Sequence, residues 1–256
     1  MIRVEHLSKR FRSGRWSRRA SLAVDGVSLH IAKGETLGLV GESGCGKSTL
    51  SRLIMKLAEA DEGDIYFDGR RITGLGMKEM RPLRRQMQMI FQHPDSALNP
   101  RQTLLDSLLE PVRLHRTMDR EAGMAKALEL LELVGLSSGI LLRYPHQISG
   151  GQIQRIVIAR ALMLNPAFLV LDEPTSMLDV SVQAQVIELL RQVQQTFSMT
   201  YLFISHDLEL VRCVSDRIAV MRSGQIVETG GSGQLMEDPQ HPYTRKLVDA
   251  FRALRY

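Results

Sequence analysis

The sequence predicts an α/β fold built around a mostly parallel sheet. Three short runs, at 36–40, 168–171 and 201–204, are continuously apolar and lack a polar face. Such runs are typical of strands buried on both sides of a parallel sheet. Segments with helical spacing of apolar residues stand between the runs. Strands that alternate with helices in this way indicate the α/β class.

Length and composition allow one good-sized globular unit, or a core with a smaller subdomain, because 44% of the 256 residues are hydrophobic. The net charge of +5 is mildly basic. It is compatible with nucleic acid, an anionic membrane face or anionic small ligands as partners, and equally with a solubilising surface. The densest basic stretch lies within 10–19 and is interpreted as a solvated loop whose role stays open. Its members are Arg10, Arg12, Arg15, Arg18 and Arg19.

The cysteines predict neither a disulfide framework nor a thiol metal site, since Cys45 and Cys213 are far apart in sequence. This usage suits a reducing cytoplasm. The first six residues, 1–6, lack the apolar core of a signal peptide. No run reaches the roughly 18 apolar residues that a membrane helix needs. We therefore expect that the chain does not cross a membrane by itself and that another protein holds it there if it works at one.

The first third of the chain is predicted to be rich in strands. Apolar positions predict strands over 2–7 and 22–31, and the pair Asp25-Gly26 predicts a turn or a bulge within the second. The first of the three buried runs follows. A glycine-rich loop comes next and leads into a helical pattern over 47–57.

The middle of the chain, 92–151, is rich in leucine at helical spacing. Asp119 is suited to cap a helix that ends at Gly135. The apolar stripe of that helix comprises Ala127, Leu128, Leu130, Leu131 and Val134. We interpret this segment as a helical subdomain inserted into the sheet core.

The last part of the chain returns to alternating helices and strands. A helix is predicted over 151–164, and a strand over 168–171 follows the Asn165-Pro166 break. A second helix is predicted over 182–196 with Ser181 as its cap, followed by a strand over 201–204. The last predicted element is a hairpin of 217–221 and 225–228 around Ser223-Gly224.

The glycine-rich loop matches the phosphate-binding pattern G-x-x-x-x-G-K-S/T, between a buried strand and a helix. Its residues are Gly41, Glu42, Ser43, Gly44, Cys45, Gly46, Lys47, Ser48 and Thr49. Glycines let backbone N–H groups converge on phosphate oxygens, and the helix N-terminus adds donors. Lys47 is expected to reach the terminal phosphates, and Ser48 to offer its hydroxyl to Mg²⁺. Cys45 is interpreted as a variable position of the loop rather than a redox switch.

Polar side chains follow two of the predicted strands and one further apolar run, 89–91. Asp172 and Glu173 end the run 168–171, where Asp172 suits a Mg²⁺ contact and Glu173 is the candidate to polarise an attacking water. His206 follows the strand 201–204, at the edge where ligands of such sheets bind, and could contact the terminal phosphate or hold Glu173 and the water. Gln92, after Met89-Ile90-Phe91, is either a similar edge residue or an ordinary surface amide.

A second glycine-rich turn, Ser149-Gly150-Gly151-Gln152, also opens a helix and can also bind an anion. One nucleotide does not need two helix N-termini from the same chain. The economical solution is that this turn caps a nucleotide held by a partner subunit.

With Asp172-Glu173 shortly after it, this turn resembles the signature sequence of ABC ATPases. The resemblance covers essentially the whole chain. It implies the ABC ATPase fold, a P-loop NTPase (RecA-like) core with an antiparallel β subdomain and an inserted α-helical subdomain. The implied boundaries are 1–91 and 152–230 for the core and its β subdomain, 92–151 for the helical signature subdomain, and 231–256 for a C-terminal tail.

The resemblance also implies roles for single residues. Gln92 matches the Q-loop, a Mg²⁺ ligand, and His206 matches the switch histidine. The D-loop corresponds to Ser176-Met177-Leu178-Asp179, with Met where Ala is more usual. Phe11 is the expected aromatic that stacks on adenine, with Trp16 as a competitor.

Two segments resemble the importers of peptides and nickel, namely 91–101 and 238–244. This similarity implies an ATP- and Mg²⁺-dependent importer ATPase, peripheral at the cytoplasmic face of the inner membrane, for peptides, nickel or a metal chelate. Its expected partners are a second ABC ATPase subunit, usually a different chain, two transmembrane permease subunits and an extracytoplasmic solute-binding protein. The cysteine-rich extension of longer members is not found after Tyr243, so no iron–sulfur cluster is expected.

Two other functions compete with this interpretation. The first is a soluble ABC ATPase that acts on nucleic acid or ribosomes. Such proteins commonly carry two cassettes or a long coiled-coil insertion. Because the sequence shows neither, no nucleic acid is expected as partner. The second is a small-molecule kinase, which would have no use for the signature turn or His206. The transported solute, and whether the partner ATPase is identical or different, are left open by the sequence.

Overall fold

The computed structural model describes residues 1–12 and 20–253, which belong to two compact units. The first unit comprises Met1–Met80 and Thr200–Tyr256, and the second comprises Arg81–Met199. Each unit is a set of residues that contact one another closely, whereas the domain boundaries predicted from the sequence are placed at motifs. The predicted limits at 91/92, 151/152 and 230/231 therefore stay a prediction.

The N-terminal part of the first unit contains an antiparallel sheet. In chain order its elements are β1 (Ile2–Arg12), β2 (Ala20–Ile31), β3 (Thr36–Val40), α1 (Lys47–Ile54), β4 (Glu62–Phe67) and β5 (Arg70–Arg71). The sheet has the strand order β2-β1-β4-β5. Ile2 stands opposite Ile31 on one side and Phe67 on the other, and all three side chains are buried. Strands predicted over 2–7 and 22–31 are thus present and longer than expected.

Asp25-Gly26 forms a bulge rather than a turn, because β2 continues through it. The register with β1 shifts between Leu7 and Lys9, opposite this pair. Gly26 has φ +58°, which glycine adopts without strain. Its amide donates to Ser8 Oγ at 3.0 Å, so the donor that the bulge removes from the ladder is satisfied.

The second unit combines two parallel strands with a helical layer. Its elements, with the helix that leads into it, are α2 (Met77–Leu83), β6 (Met87–Ile90), α3 (Leu104–His115), α4 (Arg120–Leu133), α5 (Gly150–Leu162), β7 (Phe168–Asp172) and α6 (Val180–Phe197). β6 and β7 pair in parallel, with Met87 opposite Phe168 and Ile90 opposite Leu171. Every residue of β7 is buried, as the predicted two-sided strand requires.

Arg160 of α5 ties the helical layer together. Its guanidinium donates to the carbonyl oxygens of Ser107 (3.1 Å) and Ala97 (2.7 Å) and pairs with the Glu110 carboxylate. The side chain is 26% exposed. A planar guanidinium with several fixed donors can satisfy such separate acceptors at once, and it links α5 to α3 and to the turn before it.

Four details of the predicted helices are wrong. The helix predicted to start at Val182 begins at Val180, and its cap is Asp179 instead of Ser181. The Ser181 hydroxyl donates to Asp179 Oδ1, so Ser181 supports the cap. Leu128, a predicted member of the apolar stripe of α4, is 42% exposed. α1 ends at Ile54 rather than 57, because Lys56 takes a left-handed conformation with φ +51°.

The C-terminal part of the first unit adds strands on both sides of β3. Its elements are β8 (Thr200–Ile204), α7 (Leu208–Val214), β9 (Arg217–Arg222), β10 (Gln225–Gly231), α8 (Ser232–Glu237) and α9 (Pro242–Ala253). β3 pairs in parallel with β8 and with β9, so Leu39 lies between Ile204 and Ala219. β9 and β10 form the expected hairpin, and Ser223 and Gly224 both have positive φ.

Within the described residues, no helix is long and apolar enough to span a membrane.

Helix α7 approaches β3 at Gly38, where a side chain would collide. A Cβ built on Gly38 would lie 2.2 Å from Val211 Cγ1 and 2.6 Å from Ser215 Oγ. We expect Gly38→Ala to lower the free energy of unfolding by about 1–3 kcal/mol, because the helix must move away from the strand. Urea denaturation measures this change.

Gly74→Ala is the matched control, since a Cβ at Gly74 meets nothing within 4 Å. Its unfolding free energy should stay within about 0.5 kcal/mol of the parent. Equal stability of Gly38→Ala and the parent would contradict the close packing of α7 on β3.

Candidate functional site

The glycine-rich loop joins β3 to α1 in the first unit and runs against neighbouring backbone. A Cβ at Gly41 would lie 2.1 Å from Met221 O, and one at Gly46 would lie 2.1 Å from Ala23 O. Both glycines have positive φ, +152° and +113°. No other residue type fits at these two positions, and the backbone of the loop is therefore not covered by its own side chains there.

Lys47 is held over the loop by the carbonyl groups of the loop itself. Its side chain is buried, and Nζ donates to the carbonyl oxygens of Gly41 (2.6 Å) and Glu42 (2.9 Å). Gly46 precedes α1 and provides no side-chain cap for the first turn. A cation beside an uncapped helix N-terminus is suited to an anionic ligand.

The other loop residues differ in exposure. Glu42, Ser43 and Gly44 are exposed, while Ser48 and Thr49 are half-buried in the first turn of α1. The buried Cys45 has its Sγ 3.8 Å from Lys47 Nζ. The thiol therefore packs inside the loop and is not presented to solvent.

His206 lies at the same sheet edge of the first unit as the loop. It follows β8, which pairs in parallel with β3, and Leu39 stands opposite Ile204. Because both strands run in the same direction, their carboxyl ends meet at one edge. The imidazole is exposed, and α7 begins directly after it with Asp207 as cap.

In the second unit, the structure brings Gln92 and Glu173 together. They follow the parallel strands β6 and β7, and Gln92 Nε2 donates to Glu173 Oε2 at 2.9 Å. Asp172 is the last residue of β7 and is 4% exposed. Glu173 has φ +49°, a conformation that costs free energy for a residue with a side chain. The chain therefore turns sharply between the two acids.

The second glycine-rich turn forms the N-terminus of α5 with a capping box. Ser149 Oγ accepts from Gln152 N (3.3 Å), and Gln152 Oε1 accepts from Ser149 N (3.1 Å). Gly150 is exposed. A Cβ on Gly151 would lie 2.7 Å from Val182 Cγ1, so α5 and α6 come into close contact at this residue.

Asp179 serves as the cap of α6. Its Oδ1 accepts from Val182 N (2.9 Å) and from Ser181 Oγ (2.8 Å). The bond from the Val182 amide, followed by the one from Ser181, lowers the pKa of the Asp179 carboxyl below its usual value. The carboxylate is thus ionised at neutral pH. Met177, two residues before it, is 67% exposed.

The choice between the two candidate adenine-stacking residues stays a prediction. Phe11 lies in β1, is 47% exposed and has Lys9 Nζ 5.7 Å from the centre of its ring. Trp16 lies outside the described residues, as do three of the arginines, Arg15, Arg18 and Arg19.

The glycine-rich loop 41–49, called the phosphate loop from here on, makes one contact that the sequence does not predict. The hydroxyl of Tyr243, in α9, accepts a hydrogen bond from Glu42 N at 3.2 Å. The sequence of segment 238–244 indicates only a family resemblance. Nothing in its composition indicates that the chain returns to the loop, because the two residues are 201 positions apart.

Comparison with known proteins agrees with this architecture and these motifs. A model of the ABC transporter family matches residues 24–176, more than half of the chain, and this span includes the phosphate loop, the second glycine turn and both acids. The chain therefore belongs to the ABC transporter family. It has the ABC ATPase fold, and it is an ATP-hydrolysing protein of that family.

The relatives extend the match to almost the whole chain. The oligopeptide transport ATP-binding protein OppF of Bacillus subtilis is 47% identical over 252 residues, which are 98% of this chain and 82% of OppF. The glutathione import ATP-binding protein GsiA of Escherichia coli K12 is 50% identical over 254 residues, but this chain spans only 41% of GsiA.

A solved structure confirms the predicted fold. The dimeric structure of a post-hydrolysis state of the ATP-binding cassette MJ0796, bound to ADP and Pi, superposes with a TM-score of 0.82 at 29% sequence identity. The match covers 91% of this chain and 99% of MJ0796.

The capping box at Ser149 should stabilise the second unit independently of any ligand. We expect Ser149→Ala to lower the unfolding free energy of the nucleotide-free chain by about 1 kcal/mol, because the Gln152 amide loses its acceptor. Thermal or urea unfolding measures the change.

Ser137→Ala is the control, because Ser137 precedes a helical turn without giving it a side-chain cap. It should change the unfolding free energy by less than about 0.5 kcal/mol. The same loss in both variants would mean that the capping box contributes nothing.

Proposed function

We propose that this chain is the ATP-binding and hydrolysing subunit of an importer, and that it works as half of a dimer that sandwiches two nucleotides. One observation carries the proposal: the chain has two separate glycine-rich turns, each at the start of a helix, α1 and α5. One triphosphate does not need both turns of the same chain. In a dimer it would contact the first turn of one subunit and the second turn of the other. The similar cassette MJ0796 forms a dimer in a post-hydrolysis state bound to ADP and Pi, which supports the proposal of a dimer.

The phosphate loop is proposed to bind the nucleotide. The backbone N–H groups from Gly41 to Thr49 surround the phosphates, and the Lys47 ammonium neutralises the terminal ones. Lys47 is already held by hydrogen bonds to the carbonyl oxygens of Gly41 and Glu42. Its side chain therefore loses less conformational entropy when ATP binds. Phe11, or Trp16 in its place, stacks on the adenine.

The donor set fits Mg²⁺, which prefers hard oxygen ligands. In the first unit we assign the Ser48 hydroxyl to it. In the second unit we assign the Asp172 carboxylate and the Gln92 amide oxygen, which the contact with Glu173 leaves unused because it employs the amide nitrogen. When bound, the ion neutralises charge on the phosphate oxygens.

Glu173 is proposed to polarise the attacking water. Gln92 restrains its carboxylate through the 2.9 Å hydrogen bond, so the side chain is oriented before a substrate arrives. The carboxylate accepts a proton from the water as the water oxygen approaches the γ-phosphate in line with the leaving group, ADP. His206 contacts the γ-phosphate and stabilises the transferred group.

The signature turn of one subunit is proposed to cap the nucleotide of the other. Ser149, Gly150, Gly151 and Gln152 present the N-terminus of α5 to the partner's γ-phosphate. The D-loop with Asp179 lies at the start of α6 and is assigned to the same interface. ATP drives closure only if it binds the closed dimer more tightly than the open one, and hydrolysis then removes that difference.

Peptides are the proposed cargo, since relatives that match 98% of the chain are named for oligopeptide transport and glutathione import. Nickel or a metal chelate remains a second class, on the resemblance of 91–101 and 238–244. The chain would work at the cytoplasmic face of the membrane with two permease subunits, a second ATPase subunit and a solute-binding protein. The relatives give no support to the nucleic-acid alternative.

Glu173→Gln tests the hydrolytic role. Phosphate release should fall by about 10²–10⁴-fold, because the amide cannot accept the proton. ATP binding should persist, and a dimer should accumulate with Mg-ATP, detected by light scattering after size exclusion.

Glu132→Gln removes an exposed carboxylate from α4 and serves as the matched control. It should hydrolyse ATP at the parent rate and form no trapped dimer. Unchanged hydrolysis in Glu173→Gln would take Glu173 out of the mechanism, and loss of ATP binding would assign it a structural role.

Purification of the complex from its native membrane tests the partners and cargo. Mass spectrometry should find this chain with two permease subunits and a second ATPase, and the associated solute-binding protein should carry a peptide. Captured nickel in place of peptide would change the substrate class, and co-purified ribosomal RNA without permeases would overturn the proposal.

A further inference from the structure

The segment that follows β10 returns to the phosphate loop within the first unit. Tyr243, the second residue of α9, is 6% exposed, and its hydroxyl accepts from Glu42 N at 3.2 Å. The guanidinium carbon of Arg222 lies 4.9 Å from the centre of the same ring. Both the ring and the hydroxyl of Tyr243 therefore have defined partners.

Glu228 of β10 anchors this segment. Its two carboxylate oxygens accept from Gln240 N (2.8 Å) and His241 N (3.0 Å). His241 Nδ1 in turn accepts from Tyr243 N at 3.1 Å. A chain of hydrogen bonds thus runs from the sheet to the residue that touches the loop, and it leaves Tyr243 little freedom to move.

The contact meets the loop at a residue that also holds Lys47. Glu42 donates its amide to Tyr243, and its carbonyl oxygen accepts from Lys47 Nζ at 2.9 Å. A rotation of the Glu42 backbone would change both hydrogen bonds together. Glu42 therefore links the Lys47 ammonium to the hydroxyl of a residue near the C-terminal end of the described chain.

The hydroxyl keeps its proton under all ordinary conditions. Burial raises the pKa of Tyr243 above its usual value. The neutral phenol accepts from the Glu42 amide without placing a negative charge beside a loop that must take up phosphate.

We propose that Tyr243 is a positioning residue of the phosphate loop, which fixes the Glu42 amide and thereby holds the loop and Lys47 in the conformation that binds ATP. This inference rests on the proposed nucleotide-binding role of the loop. Tyr243 touches neither nucleotide nor metal in this scheme. It acts through Glu42, and it makes the segment after β10 a support of the phosphate loop.

Tyr243→Phe removes the hydroxyl and keeps the ring over which Arg222 lies. One hydrogen bond is worth about a fivefold change in an equilibrium constant. We expect the Glu42 amide to exchange with solvent about fivefold faster, measured by NMR on the full chain. We expect KM for ATP to rise about fivefold and kcat to stay within about twofold, because the loop is in contact with the phosphates in both ground and transition states.

Tyr66→Phe is the matched control. Tyr66 also has an arginine over its ring, with the Arg3 guanidinium carbon at 4.1 Å, but it lies in β4 on the antiparallel sheet. It should leave the Glu42 exchange rate and KM unchanged. Glu228→Gln supplies a second test that spares the hydroxyl; it weakens the anchor of 240–241 and should raise KM in the same direction by about twofold.

Lys47→Ala separates this inference from the proposed function. Loss of ATP binding in Lys47→Ala, together with parental Glu42 exchange and KM in Tyr243→Phe, would overturn the role of Tyr243 and leave the phosphate loop in place. Parental ATP binding in Lys47→Ala would overturn both. If Tyr243→Phe lowered kcat and the midpoint of thermal unfolding without a change in KM for ATP, Tyr243 would support only the fold.

Discussion

The first unit depends on one steric constraint, the close approach of the loop between β3 and α1 to the backbone around it. At Gly41 and Gly46 a Cβ would lie 2.1 Å from the carbonyl oxygens of Met221 and Ala23. The loop can occupy this place only because those positions lack side chains. Its fixed course sets the direction of α1 and brings the Gly41 and Glu42 carbonyls to Lys47. The proposed anion site would thus be a consequence of backbone packing.

The second unit arranges its chemistry through strand direction. β6 and β7 run parallel, so Gln92 and Glu173 leave the sheet at the same edge and form a hydrogen bond. The positive φ of Glu173 turns the chain immediately after the buried Asp172. Two adjacent carboxylates thereby acquire different surroundings, one at the buried end of a strand and one held by an amide. This difference is what allows them separate proposed roles.

Much of the fold could be predicted because local rules and tertiary structure agree. The apolar runs at 36–40 and 168–171 became strands buried at every residue, and Ser223-Gly224 became the expected hairpin turn. One error, the cap of α6, arose where two local rules competed. Ser181 and Asp179 are both good caps, and the helix starts at the earlier one because Ser181 can then donate to Asp179.

The sequence by itself determined the family and most of the strands, and it predicted the chemistry of the motifs, since glycine turns, caps and buried runs are encoded in neighbouring residues. The strands β4 and β5 were not predicted. The tertiary structure alone decided that Gln92 contacts Glu173, 81 positions away, and that Tyr243 contacts Glu42, 201 positions away. No local pattern specifies such pairs. They depend on which strands pair and where the chain returns, and those choices follow from the packing of the whole unit.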